Sequence, residues 1–314
     1  MSVRDVVGVP LRAALGNLQL PAGEPVGDPG LFGPGSVTWR VHADTASMLV
    51  GGVSALLLQT LHPGAMAGVA DHSDFRNDLY GRLHRTSLFV GTTTFGARPT
   101  AERAIAGVRR VHEHVVGTRP DGVAYSAGDP HLLTWVHVAE VSQFLAGHLR
   151  YAPHAVSMAE ADRYYAEVAV IARELGATDV PTSAAEVAAY FDRARPELAF
   201  GGQAREAIAI LRNPPLPGRA DRVGARLLFQ IAAYLLPTWV RELLELDDLM
   251  PGVAARSAGH ALVRTMRYGL GTSPIVAAAR RRTADPTPTG EVASGGEAAP
   301  DLAGDVGGDV VGRP

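Results

Sequence analysis

Between Asp44 and Asp71 the chain carries no Lys, Arg, Asp or Glu. The run TASMLVGGVSALLLQTLHPGAMAGVA is long and apolar enough to imitate a membrane span. It is poorly built for lipid, because Gly51-Gly52, Gln59, His62 and Pro63-Gly64 interrupt the helix and carry polar groups that a bilayer cannot satisfy. The reading is a core helix that bends near Pro63 and is wrapped by the rest of the protein, with no stable membrane insertion.

The wrapping elements read as helices. Asp129-Pro130 sets a capping acid before a proline at the first helical position and opens a helix through about Arg150. Ser157-Met-Ala-Glu160 is a capping box, and Gly176 stops the helix that follows. Ser183-Ala-Ala-Glu186 is a second box. Thr100 and Gly117 bracket another helix, and further ones are expected at 203–212, 219–235, 238–247 and 251–279. Alternating β-branched runs are few, and no Gly-rich strand-to-helix turn occurs, so dinucleotide and P-loop folds find no support. The expectation is an all-α, globin-like single domain over about 35–280. An N-terminal arm (1–34), with one short helix around Arg12, precedes it. The tail (281–314), dense in Gly, Pro, Asp and Ala, cannot offset its ordering entropy and is expected to be disordered.

Cysteine is absent, which removes disulfides, thiolate nucleophiles, iron–sulfur clusters and thiolate-ligated haem together. A net charge of −3, with Arg280-Arg281-Arg282 as the one basic block, argues against nucleic acid as a partner. The N-terminus lacks the pattern of a secretory signal, and a cytoplasmic location is expected.

Against this background some polar residues are out of place. In AERAIAGVRRVHEHVV, Ile105, Val108, Val111 and Val115 recur at helical spacing, and His112 falls inside their stripe while Arg109, Arg110, Glu113 and His114 point elsewhere. A core-facing imidazole needs a hydrogen bond or a metal. Leu133, His137, Val141 and Phe144 form a second face with a core-directed histidine, with Glu140 three residues on. Arg82 and Thr86 share one helical face, and Arg85 adjoins it. His62 precedes Pro63, where a cap at a bend would explain it, and Asp71-His72-Ser73-Asp74 reads as a turn and helix start. His84 and His114 read as surface residues. No Glu-x-x-His pair or His-Glu-x-x-His helix is present, and the one nearby arrangement, His137-x-x-Glu140, is reversed. A single axial imidazole asks for only one well-placed His, and haem suits an all-α core without cysteine.

These segments, TWRVHAD, ALLLQTLHPGAMAGVADHSDFR, GRLHRTSLFV, VRRVHEHVVG, YSAGDPHLLTWVHV and DRYYAE, resemble in order and spacing the MpaB-type and rubber-oxygenase (latex clearing protein) catalytic domain. The likeness covers about 35–200 and weakens to about 280. It implies an all-helical fold around haem b, with His112 as axial ligand to the iron and the family's Arg-x-x-x-Thr signature at Arg82 and Thr86. It implies O₂ and a small hydrophobic, alkene-bearing or isoprenoid substrate held by side chains of the Thr45–Ala70 run. Arg82 or Arg85 would meet a haem propionate or charge developing on oxygen, His62 would lie beside the cofactor, and His137 and Glu140 would handle protons. Rubber-cleaving members are secreted and carry a lysine where this chain has Arg85, so rubber itself is not the expected substrate. Two other readings stay open on the residues alone. One is a non-haem metal or cofactor-free enzyme built on His62, His72, His112 and His137. The other is a binding protein for apolar ligands without catalysis.

Overall fold

The computed structural model describes residues 18–20, 24–216 and 218–284. The helix expected around Arg12 and the tail beyond 284 lie outside the described residues. Among the described residues thirteen α-helices occur, in chain order α1 (Val37–His42), α2 (Thr45–Gln59), α3 (Pro63–His72), α4 (Leu79–Phe95), α5 (Arg98–His112), α6 (Pro130–Tyr151), α7 (Met158–Leu175), α8 (Ala184–Ala194), α9 (Gly202–Arg212), α10 (Arg219–Ala233), α11 (Thr238–Leu243), α12 (Gly252–Leu270) and α13 (Pro274–Thr283). Between α5 and α6 lies a two-stranded antiparallel hairpin, β1 (Val116–Thr118) and β2 (Ala124–Ser126), in which Gly117 faces Tyr125. The protein is all-α apart from that hairpin, which is too short for a strand pattern to have announced it.

The charge-free run behaves as its composition demands. It forms α2 and α3, bent by 105° at the His62–Pro63 junction. Among the described residues no single helix is long and apolar enough to cross a membrane. Instead α2 lies along α6, and the closeness of that packing follows from two glycines. A Cβ on Gly51 would stand 2.6 Å from the Gln143 carbonyl oxygen, and one on Gly147 would stand 2.7 Å from that of Ser47. Leu57, Leu58 and Leu61 then share one core with Trp135, Val138 and Tyr164. The polar groups trapped in this seam pair with each other, Ser54 Oγ donating to Gln143 Oε1 at 2.8 Å.

Capping logic from the sequence holds at several ends. Asp129 caps α6, the Ser157/Glu160 box is reciprocal on α7, and Gly176 takes the left-handed conformation at φ 109°. At α8 the Ser183 hydroxyl caps, whereas the Glu186 carboxylate turns to Thr182. Elsewhere the bounds shift. The stretch expected as one helix from 251 to 279 is two, because Gly271 leaves helical space at φ 62° and Pro274 starts α13. Helix α5 begins two residues before Thr100, at Arg98, and ends at His112 rather than near Gly117.

Helices α4 and α5 form a helical hairpin, joined by the two residues Gly96-Ala97 and packed against each other. The turn is clasped from both distant ends of the described chain. Glu24 accepts the Ala97 amide at 2.9 Å, and Asp28 accepts that of Arg98 at 3.0 Å. Arg282 of α13, buried at 5% side-chain exposure, is ion-paired to Glu24 and donates to the Asp28 carbonyl at 2.9 Å.

Candidate functional site

Arg82 and His112 lie on the two helices that meet at this turn. Running back along α4 from the turn to Arg82, and forward along α5 to His112, covers nearly the same number of residues. At about 1.5 Å per residue each lies roughly 20 Å along its own helix from the turn. The α5 face toward the protein is Ala101, Ile105, Val108 and His112, while Val111 is 61% exposed and leaves the expected stripe.

His112 is half-buried, and its Nδ1 is enclosed with no hydrogen-bond partner among the described residues. Burial pulls its pKa below the ordinary histidine value, so the ring is neutral at pH 7. On α4 the C-terminal stretch Gly91–Phe95 is buried, whereas Arg82, Leu83, Leu88, Phe89 and Val90 are only half covered. Arg82 donates from Nη1 to Ser73 Oγ at 3.1 Å and has no carboxylate partner among the described residues. Burial and the neighbouring Arg85 charge push its pKa down, which marks a guanidinium short of an anion. Arg85 is exposed and pairs with Asp78 at 3.4 Å, and Thr86 is exposed. Of the two arginines, Arg82 is the one set to meet a buried anion.

His137 and Glu140 sit on α6 but do not form a pair. His137 is buried with an unpartnered Nε2, and burial, aided by the Arg173 charge, pushes it down to about 4. Burial raises the Glu140 carboxyl to about 7, although the residue keeps some accessible surface. Its charge is felt by Tyr164, whose hydroxyl meets His42 Nε2 at 3.0 Å; His42 Nδ1 meets Thr94 Oγ1 at 2.8 Å. The His42 position gave only a motif signal, with no hint that it would join Thr94 and Tyr164.

The four histidines of the metal reading do not converge. His72 gives Nε2 to the Val116 carbonyl at 3.1 Å, and Asp71 accepts from Tyr125 Oη at 2.6 Å, so that acidic turn fastens the β-hairpin. His62 caps α3 and meets His131 and Glu197, the one group of possible metal-ligating side chains found among the described residues. Ser73, which touches Arg82, follows the opposite end of α3, about 16 Å along the axis from His62. His62 therefore does not join Arg82. His131 and Glu197 were invisible to sequence reasoning, because nothing local links them to His62.

The residues around the hairpin fit a haem: a neutral imidazole with an enclosed, unpartnered nitrogen, a half-buried guanidinium lacking an anion, and an incompletely covered apolar wall. A family model described as ER-bound oxygenase mpaB/B′/rubber oxygenase, catalytic domain, matches residues 39–268. No curated protein and no solved structure gives a match.

Proposed function

Because the chain belongs to the mpaB/rubber-oxygenase family of oxygenase catalytic domains, we propose that it is a haem b-dependent oxygenase. Its substrate is a small hydrophobic, alkene-bearing molecule, and the outcome is oxidative cleavage. The observation that carries this reading is His112, a neutral imidazole with an unpartnered enclosed nitrogen, on a helix that packs against the one carrying a half-buried Arg82 without a carboxylate partner.

When haem is bound, His112 would hold the iron and Arg82 would pair with a propionate. Haem supplies the activation of O₂ that no amino-acid side chain provides. The protein's own part is positioning and proton control. The half-covered Leu83, Leu88, Phe89 and Val90 exclude water and favour an apolar substrate. Glu140, near 7, holds or releases a proton at its carboxyl under neutral conditions, the range in which an acid–base group works best. His137, neutral throughout, orients rather than titrates. Thr86 borders the same α4 face as Arg82, one turn on.

The test is the visible spectrum of protein produced with haem supplied. A Soret band is expected, lost in His112→Ala and kept in His137→Ala. A colourless protein after reconstitution, or a band indifferent to His112→Ala, refutes the assignment.

A further inference from the structure

From Leu249 to Ala284 the chain has no Asp or Glu, yet it carries Arg256, Arg264, Arg267, Arg280, Arg281 and Arg282. Arg267 is engaged by Asp44 and Arg282 by Glu24. The other four are exposed, and none forms an ion pair among the described residues.

Arg256 and Arg264 belong to α12. Val253, Arg256, His260 and Arg264 recur there at three- and four-residue steps, which sets them in one row. Ser257, Ala261 and Tyr268 flank the row at the same spacing. The whole face is exposed, Val253 at 82% and Tyr268 at 60%. The opposite face of Ala255, Gly259, Val263 and Met266 is buried. Val263 and Met266 share a core with Val50 of α2 and Ile231 of α10. The helix therefore cannot roll to cover Val253 and Tyr268 without losing that core.

The helices packed on α12 do not supply the missing negative charge. Helix α2 holds no charged residue, α6 holds Arg150 and a partly buried Glu140, and α10 holds Arg219, Arg222 and Arg226 against Asp221. Asp247 and Asp248 precede the helix, and Asp248 is taken by Arg212 at 2.7 Å. A partner for this face must be anionic, and it must also accept a valine and a tyrosine beside the guanidinium groups. Nucleic acid offers the charge without an apolar layer. A bilayer interface offers both: lipid phosphates meet the arginines, while valine and the amphipathic tyrosine reach the acyl boundary. We propose that the outer face of α12 docks peripherally on an anionic lipid surface through Arg256, Arg264, Val253 and Tyr268. The contact inserts no helix and is independent of haem.

The experiment floats the full chain with vesicles of phosphatidylcholine alone, or with about 30% phosphatidylserine, at low salt. Binding is expected to the anionic vesicles only, and to fall as salt rises. Arg256→Gln and Arg264→Gln should each weaken it about fivefold, the usual worth of one arginine at such a surface, without moving the unfolding midpoint. Arg109→Gln with Arg110→Gln removes the same charge from the exposed side of α5 and should leave binding intact. Because the chain has no cysteine, Val253→Cys accepts a single environment-sensitive dye, whose emission should shift to the blue on anionic vesicles. The same dye at Val123→Cys, between β1 and β2, should not respond. The proposal is overturned if the protein does not float with anionic vesicles, if the α5 pair weakens binding as much as the α12 pair, or if the dye at position 253 is unmoved. It is equally overturned if poly-glutamate binds more tightly than the vesicles, which would point to an acidic protein.

Discussion

Gly51→Ala is a severe test of the packing, because local and tertiary effects oppose each other there. In an isolated helix the change gains about 1 kcal/mol from alanine's higher propensity. In the protein the new Cβ meets the Gln143 carbonyl oxygen at 2.6 Å and Phe144 Cα at 3.0 Å. Both are backbone atoms of α6, so no side chain can swing aside, and the helices must part by most of the 0.8 Å missing from ordinary contact at 3.4 Å. A gap of that size forfeits roughly a quarter to a half of each atomic contact, and on the order of fifty contacts at about 0.1–0.2 kcal/mol each give a loss of about 2–4 kcal/mol. The net expectation is destabilisation by about 1–3 kcal/mol, in the range of overpacked cores. Gly107→Ala is the control: its nearest neighbour is the flexible end of Arg110 at 4.0 Å, and a gain of up to about 1 kcal/mol is expected. Urea unfolding at matched slope reads both. A Gly51→Ala midpoint at or above that of the parent refutes the close-crossing argument.

Two further outcomes follow from buried charge. Glu140 has a folded pKa raised from 4.5 to about 7, so between those values the native state keeps a proton that the unfolded chain has lost. Stability therefore falls as pH rises through that window, and Glu140→Gln should flatten the decline and be more stable at pH 8 by about 3 kcal/mol; parallel pH profiles for the two proteins would contradict this. Arg282→Met strands the Glu24 carboxylate, whose side chain is 9% exposed, and should cost about 3–5 kcal/mol in thermal or urea unfolding. A loss under about 1 kcal/mol would mean that the ion pair is dispensable.

What the chain declared in advance was its local physics. Asp129-Pro130, the Ser157 box and Gly176 each act within a few residues, and each end falls where its chemistry put it. The bend at His62-Pro63 was legible for the same reason. Spacing alone misled at Val111, which periodicity placed with His112 but which the end of α5 turns outward. Spacing was also silent on Glu140, whose charge is felt by Tyr164, a residue of another helix. The His62–His131–Glu197 meeting was out of reach, because it depends on how the α2–α3 bend, the start of α6 and the turn after α8 are brought together. No pattern within one element encodes that.

The clasp on the α4–α5 turn has a consequence for biosynthesis. Its cation, Arg282, is made some 180 residues after the amides of Ala97 and Arg98 that the same cluster secures. A nascent chain can thus form both arms of this hairpin well before the ribosome delivers the group that neutralises Glu24. Such widely separated pairing is slow to close, and the segment presenting Arg82 and His112 should be among the last to gain protection from hydrogen exchange.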